Sequence, residues 1–233
     1  MRQLFQFMKR TPTASSLLPF GYALLGAWVA LTHWHLAAAT LGADLVASDP
    51  PAHFVSGVMV YEYLRDILGG TLSQPIPFAE SFYVRYPKVA IGHWPPAYYG
   101  IQALWYGLFG PAVDGALALS AVMAALLALL LFRRLRPGHG ASSAAGAALM
   151  FLALPWIQRT AWAVMSDLLT GLFVFLALLA FSDLLENPRS RRAAAGFSLW
   201  SILAVLTKGT AWALGPFALL APILAGRMSC FKN

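Results

Sequence analysis

Apolar runs free of Asp, Glu, Lys and Arg recur along the chain at about 17–39, 115–132, 141–158, 168–182, 193–207 and 209–226. A helix needs about 20 mostly apolar residues to cross a bilayer core, so the pattern predicts six crossings. A seventh apolar stretch, Pro95 to Gly110, is shorter; it opens on Pro-Pro and stops at Phe109-Gly110-Pro111. Between the first two runs lies a long polar loop that is nonetheless rich in aromatic residues, including Phe54, Tyr61, Phe82 and Trp94. Its segment 52–68 reads as a helix that starts after Pro50-Pro51 and ends at Gly69-Gly70, with Glu62, Arg65 and Asp66 at helical spacing.

Composition turns this pattern into a class. The 233 residues are 59% hydrophobic and 11% charged, against about 25% charged in soluble domains. A soluble globule, a disordered tail, a coiled coil and a disulfide-stapled module are all excluded, and the single Cys230 forms no internal disulfide. The net charge of +7 does not point to nucleic acid, because the patterned basic patches this would need are missing. It follows the rule that cytoplasmic loops collect Lys and Arg. If Pro95–Gly110 lies in the interface, then Arg2, Lys9, Arg10, Arg133, Arg134, Arg136, Arg189, Arg191, Arg192, Arg227 and Lys232 share the cytoplasmic side, eleven of the sixteen basic residues. The loop with Asp44, Asp49, Glu62, Asp66 and Glu80 then faces outward.

The predicted architecture is all-α, a polytopic membrane bundle with about six crossings and a long outer loop. Residues 1–16 form a cytoplasmic N-terminus, and 17–39 are a first transmembrane helix that is retained rather than cleaved as a signal. Residues 40–111 are an extracytoplasmic loop with interfacial helices at 52–68 and 95–110. A bundle of about five helices covers 112–226, and 227–233 are a cytoplasmic tail.

Three polar clusters converge on the outer face of this topology. Ser48-Asp49-Pro50-Pro51-Ala52-His53 sits at the mouth of the first span, where Asp49 is placed either to act as a general base or to cap the following helix. His93-Trp94-Pro95-Pro96-Ala97-Tyr98-Tyr99 offers a histidine for a phosphate or a metal, or simply an interfacial side chain among belt aromatics. His53 and His93 alone match no metal-ligand spacing. Ser166-Asp167 either caps the next span or adds a second carboxylate to the site. Lys208, in Leu206-Thr207-Lys208-Gly209, returns to the same face as a phosphate contact or as a snorkelling loop lysine.

Asp-Pro-Pro-Ala-His, His-Trp-Pro-Pro-Ala-Tyr-Tyr with Leu-Trp-Tyr-Gly-Leu-Phe-Gly, Met-Ser-Asp-Leu-Leu and Leu-Thr-Lys-Gly occur in that order. In this the chain resembles the protein-mannosyltransferase-like membrane glycosyltransferases of the GT-C fold. That superfamily includes glycosyltransferase family 39 and the bacterial aminoarabinose and lipopolysaccharide-core sugar transferases. The resemblance implies a bacterial inner-membrane enzyme that takes a polyprenyl-phosphate sugar as donor and works on the extracytoplasmic side. A lipid, glycan or protein hydroxyl is the acceptor, and membrane lipids, not nucleic acid, are the surroundings. It implies Asp49 and Asp167 as the catalytic carboxylates and an inverting displacement with Asp49 as base. His53, His93, Lys208, Arg85 and Lys88 are the candidates for the donor phosphate or substrate. A divalent metal, with His93 as a candidate ligand, is compatible with the sequence and not required by it. The chain departs from the pattern at Pro50, where many relatives carry a second acidic residue, and in length, at about half of the family's usual span. The competing readings are a truncated or non-catalytic membrane subunit and half of a transporter.

Overall fold

The computed structural model describes residues 21, 24, 26–28, 31, 49–71, 74–224 and 226–227, which are mostly helical with no strand among them. In the predicted first span, the described residues are helical and Trp28 is buried in the core. The rest of that span, residues 1–16, Asp44, Ser48 and Cys230 fall outside the described residues.

Helix α1 (Asp49–Leu68) begins three residues ahead of the predicted 52–68, so Pro50 and Pro51 occupy its first turn, where their missing N–H groups cost no helical bond. It ends at Gly69-Gly70, with Gly70 at φ +87°, a conformation that glycine adopts without strain. Helix α2 (Pro75–Arg85) follows, and then α3 (Ala97–Phe109), which closes at Gly110 with φ +85°.

Helix α4 (Val113–Ala153) joins two segments that the hydropathy pattern separates. Arg133-Arg134-Leu135-Arg136, expected to be the turn, is helical. The helix kinks a few residues later, past Pro137 at Gly140 (φ +78°, ψ 168°). The expected run 141–158 is likewise not one helix. Pro155 has no N–H to continue the ladder and pushes Leu154 out to extended backbone (φ −60°, ψ 130°). A separate short helix, α5 (Pro155–Ala161), starts there, and the Gln158 side chain donates to the Leu152 carbonyl across the break. Then come α6 (Asp167–Glu186), α7 (Arg191–Val205), a 3-10 turn (Gly209–Ala213) and α8 (Leu214–Leu224).

Two of these helices, α4 and α6, are long and apolar enough to cross a membrane. At 15 and 11 residues, α7 and α8 are shorter than a straight span. Helices α6 and α7 pair tightly. Gly196 lets the backbones approach until a Cβ there would lie 3.3 Å from Ala180 Cβ, and Phe181–Phe197 and Phe173–Trp200 pack beside it. Small residues at the seam are how helices gain close contact where lipid offers no hydrophobic drive. Leu149, Met150, Leu199, Ile202, Leu220 and Ile223 point outward and exposed, which suits acyl chains rather than water.

Candidate functional site

Asp49 occupies the first turn of α1, and the helix is held in place by α3. His53, one turn on, is 2% exposed; its Nδ1 lies 2.9 Å from the Tyr99 hydroxyl and its ring packs against Trp94 with centroids 4.2 Å apart and planes tilted by 31°. Burial pushes the His53 imidazole down to about 4, against the pull of the Asp49 carboxylate and together with the push of Lys208. Burial also raises the Tyr99 phenol above its ordinary range, so the pair is neutral at pH 7. Further along, Gly57 lies against the buried Gln102 side chain, which donates to the Tyr106 hydroxyl at 3.1 Å. The amide of Ala90 donates to Ser56 Oγ, tying the 86–96 segment to α1.

From α3 the frame continues to the lysine turn. The first amide of α3, Ala97 N–H, donates to the Leu206 carbonyl at 2.9 Å. Thr207 turns its hydroxyl back onto Leu203 O at 2.7 Å, and the Lys208 amide donates to Ala204 O. Lys208 Nζ then reaches Asp167 Oδ1 at 2.8 Å across 41 residues of sequence. Asp167 opens α6 just after Ser166, which stands at the cap position without donating or accepting a capping bond through its side chain. The loop before them is held by Ser120 Oγ, which donates to Ala163 O at 3.0 Å.

These elements enclose a cavity of about 340 Å³. Two carboxylates, Asp49 and Asp167, and two cations, Arg159 and Lys208, line it together with Trp156 and Thr160. Trp156, Thr160 and Asp167 also line a second hollow of about 290 Å³, which is apolar. It runs between α4, α5 and α6 past Phe151, Leu127 and Gly171 to Leu178. Leu178 is eleven residues below Asp167 on α6, or about 16 Å at the helical rise.

The structure thus brings Asp49, Asp167 and Lys208 to one cavity. His53 sits behind it as a neutral strut between α1 and α3. His93 is exposed and edge-on to Trp94 at 4.5 Å, and is not among the residues lining the cavity. Arg85 is exposed over the Phe82 ring, and Lys88 is exposed on the loop that follows; neither lines the cavity. Among the described residues no three His, Cys, Asp or Glu side chains gather into a metal site. Arg159 and Trp156 were not anticipated. The available signal was charge, since Arg159 is the only Lys, Arg, Asp or Glu between Arg136 and Asp167.

Residues 93–233 match the family model described as dolichyl-phosphate-mannose-protein mannosyltransferase. Comparison with curated proteins and with solved structures gives no match.

Proposed function

This chain belongs to the dolichyl-phosphate-mannose-protein mannosyltransferase family, and from that premise we propose that it transfers a sugar from a polyprenyl-phosphate-linked donor to an acceptor hydroxyl at the extracytoplasmic face of a bacterial inner membrane. The family consists of integral membrane glycosyltransferases that use lipid-linked sugar donors. The observation that supports the finer reading is a pair of adjacent hollows: a cavity lined by two acids and two bases shares Trp156, Thr160 and Asp167 with an apolar groove. Such a pair of sites matches a substrate with a sugar phosphate at one end and a hydrocarbon chain at the other.

The reaction is an inverting displacement. The acceptor oxygen attacks the anomeric carbon, a new C–O bond forms, and the bond to the phosphate oxygen breaks with its electron pair leaving on the phosphate. The acceptor proton goes to Asp49. Asp167 already accepts from Lys208 Nζ through its Oδ1. The phosphate departs as an anion, so fixed cations, not a general acid, stabilise it. His53 has no direct part: neutral and buried, it holds α1 so that Asp49 faces the cavity.

Turnover of radiolabelled polyprenyl-phosphate sugars by the purified chain in lipid tests the reading. Asp49→Asn should lower turnover by about 10²–10⁴-fold, the usual contribution of a general base, without changing donor binding. If Asp49→Asn turns over like the parent, the assignment of the base is wrong. If folded parent chain turns over no donor, the enzyme reading itself is wrong.

A further inference from the structure

Resting on the lipid-phosphate donor reading above, we propose that Arg159 is the residue that grips the donor phosphate, at the seam between the polar cavity and the apolar groove. An amphiphile whose chain fills the groove and whose sugar fills the cavity must place its phosphate where the two meet. The residues common to both hollows mark that seam: Trp156, Thr160 and Asp167. None of them carries the positive charge that offsets a phosphate, and Trp156 offers only a single neutral indole N–H. Asp167 is an anion, and the Thr160 hydroxyl is directed at its own helix, 2.9 Å from Trp156 O and 3.1 Å from Ile157 O.

Two cations remain within the cavity, and they differ in what they already do. Lys208 is bonded to Asp167 at 2.8 Å, and its charge is offset there. Arg159 is next to Thr160 in sequence, lines the cavity, is exposed, and makes no ion pair or side-chain hydrogen bond among the described residues. A guanidinium presents a planar fork of donors that matches two phosphate oxygens at once, and it stays charged at any working pH. The break at Leu154-Pro155 is what brings it there. Had the helix run straight on, Arg159 would continue the apolar leg of α4; instead the chain restarts at Pro155 as α5, whose Trp156 and Thr160 line the groove together with Asp167 and Leu168 of α6.

The test compares Arg159→Gln, Arg159→Lys and the parent chain in phosphatidylcholine nanodiscs, with binding measured for polyprenyl phosphate, polyprenol and inorganic phosphate. Arg159→Gln should bind polyprenyl phosphate at least tenfold more weakly than the parent, with unchanged binding of polyprenol and an unchanged melting temperature. Arg159→Lys should recover part of the loss, since it keeps the charge and gives up the fork. Equal affinity of the Gln variant and the parent for polyprenyl phosphate would overturn the assignment and leave the donor reading standing. Inorganic phosphate displacing the probe as effectively as polyprenyl phosphate would overturn the seam, because the groove would then add nothing. A folded parent that binds no polyprenyl phosphate would overturn this proposal together with the reading it rests on.

Discussion

At the scale of single residues, the site depends on which charges are already compensated. Asp167 and Lys208 hold one another, whereas His53 is kept uncharged by burial even though a carboxylate stands one turn away. Its folded pKa of about 4 lies below the ordinary value of 6.5. The unfolded chain therefore binds the extra proton first as pH falls, and the folded state loses stability between pH 6.5 and 4. The contribution present at pH 7 is fully retained above 6.5. Its loss by pH 4.5 should reach about 2 kcal/mol. Melting of the detergent-solubilised protein at pH 7 and 4.5, with His53→Gln as reference, measures this: the parent should lose more than the variant. Much of the residue-scale site was legible, because Asp49, Asp167 and Lys208 each follow from a polar residue at the outer end of an apolar run. What was not legible is direction. His53 and His93 each belong to one of the two Pro-Pro motifs and both contact Trp94, yet one is buried as a strut and the other is left outside. No spacing rule contains that outcome.

At the scale of elements, the site is a frame in which α1 leans on α3 and α3 is clipped to the lysine turn by a single backbone bond, Ala97 N–H to Leu206 O. The approach of α1 to α3 is set at Gly57, where an added Cβ would stand 2.5 Å from Gln102 Oε1 and 3.0 Å from Gln102 Cβ. Gln102 is fully buried and bonded to Tyr106, so it has little room to yield. Gly57→Ala should therefore destabilise the protein by about 1–3 kcal/mol, as overpacking does, even though alanine is the better helix former. Thermal melting in detergent reads the loss, and turnover should fall along with it as α1 is pushed off its seat. An unchanged melting temperature would show that α1 and α3 are not held at this distance. Helix ends were legible wherever glycine or proline punctuates the chain, as at Gly69-Gly70 and Gly110-Pro111. The hydropathy pattern passed over Pro155, because an apolar proline does not interrupt an apolar run; yet that break creates α5 and with it the seam that carries Arg159.

At the scale of the whole molecule, charge is sorted to two ends. Asp49, Arg159, Asp167 and Lys208 gather at one. At the other, Arg134 lies within electrostatic reach of Asp183 and Glu186, and Arg227 donates to Leu185 O at 2.7 Å. Between Asp114 and Arg133 on α4, and between Asp167 and Asp183 on α6, no ionisable side chain intervenes. A transporter reading would need charge at mid-membrane, and these two stretches offer none. On the topology proposed above, the basic end, with Arg133, Arg136, Arg189, Arg191 and Arg192 nearby in sequence, is the one that the positive-inside rule would put in the cytoplasm. The cavity would then open outward, where a lipid-linked sugar would meet its acceptor. Cysteine labelling tests this directly. With Cys230→Ser as background, Thr71→Cys on the outer loop should react with a membrane-impermeant maleimide added to intact cells. His139→Cys, beside the kink in α4, should react only in inside-out vesicles. The opposite pattern would put the basic turns outside and the cavity in the cytoplasm, and labelling of both positions from one side would mean that the first leg of α4 does not cross.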